Sequence, residues 1–160
     1  MNTNENVRVT TVVAVDPATA FAIFTGEIGM WWKPKVDLFG KDRKGVMRFE
    51  GGRLVEAYES GAPFEVGRVL EWNPGENVRF EWRQRDFAPG DVTEVEVRFE
   101  RVAGGTRVTL QHRGWDRIAA PHPARHGHTG DAFVSMIGLR WADLLTAYRS
   151  RAAGMRKAAG

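Results

Sequence analysis

Three pairs of alternating runs, each joined by a short glycine turn, constrain this chain more than any other feature. VMRFE and RLVEAYE flank Gly51-Gly52, PFEVGRVLEW and NVRFEWRQ flank Asn73-Pro74-Gly75-Glu76, and VTEVEVRFERV and TRVTLQH flank Gly104-Gly105. Period-two alternation marks a half-buried strand, and strands joined by tight turns lie antiparallel, side by side. The stretch from Val46 to His112 therefore predicts a six-stranded meander. Its apolar face needs a cover.

The flanking sequence supplies one. VRVTTVVAV (Val7 to Val15) is β-branched and predicts a first strand. Asp16-Pro17 then marks a helix start, an acceptor at the cap followed by a proline whose missing N–H costs nothing there. Ala20, Phe21, Ile23 and Phe24 follow at helical spacing, and Thr25-Gly26 ends the run. EIGMWW is a second short helix, stopped by Lys33-Pro34. Adjacent Trp31 and Trp32 cannot face one way on a helix, so one is expected inside and the other at the mouth of a cavity. Near the C-terminus, Phe133, Ile137, Trp141, Leu144 and Tyr148 form the apolar stripe of a long helix, capped by Thr129 or Asp131. The expected fold is α+β. A curved seven-stranded antiparallel sheet wraps round a long C-terminal helix, with two short helices after the first strand. A cavity between sheet and helix fits this arrangement.

Composition narrows the function classes. The chain has 160 residues, 42% hydrophobic, which suits a single domain over 1–160 with its core at about 7–152. Cysteine is absent, which excludes disulfides, thiolate metal sites and cysteine nucleophiles. No stretch reaches the ~18 apolar residues of a membrane span, and no signal peptide is visible, so a cytoplasmic location is expected. Net charge is only +3, with acidic and basic residues interleaved. The basic cluster YRSRAAGMRKAAG suits a solvated helix end, and no nucleic-acid-binding face is expected. Six Trp in so small a chain suggest a bulky core or an aromatic-lined cavity.

Four segments carry a resemblance: VDPATAFAIFT, the Trp31-Trp32 pair, GRVLEWNPGENVRFEW and VEVRFERVAGGTRVTLQHRGW. Together they resemble the helix-grip (SRPBCC, START-like) superfamily. More closely, they resemble its bacterial branch related to the C-terminal domain of the activator of heat-shock-protein-90 ATPase, a branch with a stress-response association. The resemblance runs from about Val7 to Ala152. It implies a hydrophobic cavity that takes a small apolar or amphipathic molecule, and it implies no common chemistry. The separate chaperone-contacting domain of the eukaryotic co-chaperone has no counterpart in these residues, which argues against a chaperone-activating role.

Parity along the strands then selects site candidates. His112 shares the apolar row of Val108 and Leu110. Three readings stand for it: a hydrogen-bonded histidine at the sheet's end, a cavity-lining polar group, or a catalytic base. No Ser-His-Asp pattern supplies a base with a partner, so no catalytic residue is assigned. Arg68 shares parity with Phe64, Val66, Leu70 and Trp72. It would be an anion hook if it points inward, although Gly67 beside it is a bulge candidate. The expected cavity lining is Trp31, Tyr58, Arg68, Trp82, His112, Met136, Ile137 and Trp141. His126 and His128 have the spacing of two metal ligands, but only Asp116 or Asp131 could complete a site, so no metal and no cofactor is assigned. Glu94, Glu96 and Glu100 alternate with apolar neighbours and are expected to face water.

The leading expectation is a ligand-binding domain for a hydrophobic or amphipathic small molecule. The alternatives are an enzyme (a cyclase or hydrolase on an aromatic or polyketide-like substrate) and a co-chaperone-like interaction module. No nucleic-acid or membrane partner is expected. The edge strand Val46–Glu50 offers a pairing edge for a homodimer.

Overall fold

The computed structural model describes residues 5–32, 45–83, 87–125 and 127–159, the last five of these by backbone alone. Strand β1 (Val7–Val13) is followed by helices α1 (Pro17–Gly26) and α2 (Ile28–Trp31). The meander follows as β2 (Val46–Glu50), β3 (Arg53–Ala57), β4 (Phe64–Asn73), β5 (Asn77–Trp82), β6 (Thr93–Val102) and β7 (Gly105–Arg113). Two 3-10 turns, Trp115–Arg117 and Pro123–Arg125, lead into the long helix α3 (Gly130–Ala159). The strands form one sheet in the order β1-β7-β6-β5-β4-β3-β2, every neighbouring pair antiparallel. This is the α+β helix-grip arrangement that the alternation and the helical stripe predict.

Local chemistry sets the helix ends. The Asp16 carboxylate accepts from Thr19 N at 3.2 Å and caps α1. Helix α2 stops at Trp31, and Trp32 is extended, with φ −79° and ψ 91°. Freed from helical geometry, the Trp32 ring turns inward as well. Both indoles are buried, and their centroids lie 5.7 Å apart. The expected split between one inner and one outer tryptophan does not occur.

Strand β4 bends the sheet. Leu54 faces Gly67 while Val55 faces Glu65, so Val66 is an extra residue. Val69 faces Phe80 while Glu71 faces Arg79, so Leu70 is a second one. Each bulge kinks the strand and reverses the side-chain parity beyond it. At Gly67 a Cβ would fall 1.7 Å from the Glu81 carbonyl oxygen, so only glycine lets β4 and β5 approach this closely. The second bulge pushes Leu70 outward and returns Trp72 to the inner side, where its ring meets Phe21 and Phe49.

The concave face holds the core. Val7 and Val13 of β1, Val78 and Phe80 of β5, Val95, Val97 and Phe99 of β6, and Val108 and Leu110 of β7 are buried against the α3 stripe Phe133, Ile137, Trp141, Leu144, Leu145 and Tyr148. The Tyr148 hydroxyl donates to Ala20 O at 2.8 Å and ties α3 to α1. The convex face is charged. Arg79 bridges Glu71 and Glu94 at 2.8 Å each, and Arg113 bridges Glu94 and Glu96 at 3.0 and 2.9 Å. Glu96 departs from the expected solvated face: Arg113, Arg98 and Asn77 leave it only 5% exposed.

Candidate functional site: an aromatic wall around a neutral histidine

Register places His112 opposite Val7 on one side and Val95 on the other, so its ring enters the core from the end of β7. Its hydrogen bonds determine its protonation. An indole N–H can only donate, and Trp141 Nε1 lies 3.1 Å from His112 Nδ1. Nδ1 is therefore the bare acceptor and Nε2 carries the proton. Nε2 lies 2.7 Å from Thr93 Oγ1, which in turn donates to Trp82 O at 3.0 Å. The chain runs Trp141 N–H to Nδ1, Nε2–H to Thr93, and Thr93 O–H to the Trp82 carbonyl. Burial pushes the imidazole pKa down to about 3, so the ring is neutral throughout the physiological range. With both nitrogens engaged, His112 is a structural bridge between α3, β6 and β5. It has no free lone pair with which to accept a proton from a substrate.

Aromatic rings extend this bridge into a wall. Trp82 lies 5.6 Å from His112 and 5.3 Å from Trp141, and Trp32 lies 5.6 Å from Trp82 and 5.2 Å from Trp141. Trp31 continues the series through Trp32 to Phe24 and Tyr148. At the other end Trp115 lies tilted against His112 at 5.1 Å and meets Phe133 edge-on at 4.8 Å. The indole N–H groups of Trp32 and Trp115 are buried and have no hydrogen-bond partner among the described residues. Among the described residues each is a buried donor without an acceptor, an arrangement that is costly.

The structure thus groups Trp31, Trp82, His112 and Trp141. Ile137 is buried in the same core, and Met136 packs against it from a partly buried position. Tyr58 stands apart, its hydroxyl donating to Glu56 Oε1 at 2.5 Å. Arg68 also lies elsewhere. The bulge at Val66 reverses its parity, its side chain is 68% exposed, and Nε donates to Glu81 on the convex face at 3.3 Å. Two residues near the site, Thr93 and Trp115, escaped the sequence reading. Thr93 shares the β6 row of Val95 and Val97, so parity could have found it. Trp115 opens a short 3-10 turn, where periodicity is silent. Away from the site, at the far side of the sheet, Glu56 is buried opposite Met47 at the parity of Leu54. Among the described residues no three His, Asp or Glu cluster as a metal site, and His126 lies outside them.

The family model described as activator of Hsp90 ATPase homolog 1-like protein matches residues 14–132. The chain belongs to this family. Solved structures share its fold across nearly the whole length. CalC, a self-sacrificing resistance protein from Micromonospora echinospora, is 22% identical over 96% of this chain and 97% of its own, with a TM-score of 0.62. Protein CV1439 from Chromobacterium violaceum is 19% identical over 92% and 96%, also at 0.62. The Aha1 dimer from Colwellia psychrerythraea is 17% identical over 90% and 92%, at 0.56. No curated protein sequence matches. At these identities the structural likeness speaks for the fold, and the family match carries the kinship. For a member of the activator-homolog family, the wall sits where the grip of sheet on helix is aromatic and fully buried. Among the described residues no helix is long and apolar enough to cross a membrane.

Proposed function

We propose that the protein binds a hydrophobic or amphipathic small molecule against the aromatic wall between sheet and α3. The observation that carries this reading is the wall itself. Trp31, Trp32, Trp82, Trp141 and Trp115 are joined through ring contacts around one uncharged histidine. These rings are buried, so a ligand that enters between sheet and α3 binds by replacing their mutual packing with its own apolar area and ring stacking. The N–H groups of Trp32 and Trp115, unpartnered among the described residues, add a polar preference. A ligand that brings carbonyl, ether or phenolic oxygens gives them acceptors, whereas a purely hydrocarbon ligand leaves them orphaned. Orientation then rests on Trp32 more than on His112, whose two nitrogens are already engaged. The same engagement, with a pKa near 3, weighs against the enzyme reading. A cytoplasmic, one-domain binding protein is the setting this reading assumes.

Native mass spectrometry of the purified protein tests it directly, followed by thermal-shift titration with apolar compounds that carry or lack oxygen acceptors. A co-purified mass, or a saturable shift favouring the acceptor-bearing compounds, supports the proposal. Neither a bound mass nor any shift, together with an experimental structure close-packed between the rings, sinks it.

A second copy of the chain is also a candidate partner. Strand β2 is the last in the sheet order, and Val46 on it and Met30 on α2 are 56% and 57% exposed. Light scattering over a concentration series decides this, and a monomer at every concentration ends it.

A further inference from the structure

One end of the aromatic wall is closed by a segment whose fastening differs from the rest of the core. Between Gly114 and Arg125 the chain makes two 3-10 turns, and Trp115 from the first covers His112. Arg125, 2% exposed, gathers the segment onto itself: Nε donates to Ile118 O at 3.0 Å and Nη2 to Trp115 O at 2.5 Å. Its guanidinium also lies 4.8 Å from the Phe133 ring centroid. The remaining fork of Arg125 holds a carboxylate from a distant part of the sequence. Glu5, just before β1, accepts from Nη1 and Nη2 at 2.7 Å each, and its Oε2 also accepts from Gly130 N at 2.8 Å. Glu5 is itself 4% exposed. One carboxylate thus joins the N-terminal segment, the covering turns and the start of α3. An open pocket of about 300 Å³ lies beside the pair, lined by Glu5, Arg117, Ile118, Arg125 and Thr129 among others.

The segment has the features of a moving part. Gly114 and Gly127 flank it with φ of 95° and 79°, left-handed conformations in which glycine is free to change. A buried bidentate ion pair holds well when intact and fails sharply when one partner is lost, because the other is left charged and unpaired.

We infer that Glu5 is a strap that holds the Gly114–Arg125 segment shut over the His112–Trp115 end of the wall, and that releasing Glu5 opens that end to ligand. The purpose of the strap rests on the ligand site proposed above; its mechanics do not.

The test pairs hydrogen exchange with an entry rate on the full chain. In Glu5→Gln, amides of residues 115–125 are expected to exchange about tenfold faster or more, while those of β5, β6 and β7 keep their rates. The stopped-flow association rate of anilinonaphthalene sulfonate, used as an apolar probe, should rise in the same variant. Glu5→Asp, which keeps the charge but withdraws the carboxylate, should show both effects in weaker form and serves if the glutamine variant does not fold. Faster exchange spread evenly over sheet and covering segment overturns the strap, because Glu5 then supports only global stability. Local opening with an unchanged entry rate overturns the gating. If the probe binds neither protein, the ligand site fails, and the exchange arm alone decides the strap.

Discussion

The neutral histidine makes the sharpest quantitative prediction. In the folded chain His112 has a pKa near 3, against 6.5 for an ordinary histidine. Between those values the unfolded chain binds a proton that the native state refuses. The contribution is therefore fully present above pH 6.5 and is lost as pH falls toward 3. Linkage puts the slope at up to about 1.4 kcal/mol per pH unit, or ~2.5 kcal/mol between pH 7.5 and 4.5. The carboxylates held low, such as Glu5 under the Arg125 guanidinium, add their own losses mainly below the ordinary carboxylate range, at more acid pH. Urea unfolding at half-unit steps from pH 7.5 to 4.5 reads the slope. A His112→Phe variant, although less stable, should lose that part of the pH dependence. Long-range nitrogen–proton correlation spectra of the wild type should show a proton on Nε2 and none on Nδ1 at every pH in the window. An imidazole that titrates near 6.5, or that carries its proton on Nδ1, would refute the hydrogen-bond chain from Trp141 to Trp82.

Other substitutions probe separate parts of the molecule. Thr93→Val leaves the His112 Nε2–H and the Trp82 carbonyl without their shared hydroxyl and should cost about 1–3 kcal/mol in urea unfolding, whereas Thr93→Ser should stay within about 1 kcal/mol of wild type. Gly67→Ala places a methyl against the Glu81 carbonyl oxygen; separation of β4 from β5 should cost about 3 kcal/mol and lower the melting temperature by roughly 6–12 °C. Tyr148→Phe removes the bond to Ala20 O between α3 and α1 and should cost about 1 kcal/mol with no change in sheet amide exchange.

Much of the architecture is legible because it rests on two periodicities. The alternation from Val46 to His112 gives strands whose turns admit only antiparallel neighbours, and the stripe from Phe133 to Tyr148 gives the helix that covers them. His112 was readable as an inward residue for the same reason. What its nitrogens touch was not, because Thr93 and Trp141 reach it from different elements. Arg68 shows where parity fails: one extra residue at Val66 sends its side chain to the convex face. Trp32 shows the same at a helix end, where extended geometry removes the constraint that should have separated it from Trp31. Glu5 and Arg125 lie 120 residues apart, and no local pattern links them.

The ring wall also governs how the protein can be observed. Trp31, Trp32, Trp82 and Trp141 form an unbroken series with centroids 5.2 to 5.7 Å apart, well inside the range over which indoles exchange excitation. Light absorbed by any one of them migrates, and the emission leaves from whichever ring lies lowest in energy. Intrinsic fluorescence is thus a collective signal: a molecule that touches a single ring can quench the whole series. Replacing one tryptophan will redirect the remaining emission as well as subtracting its own.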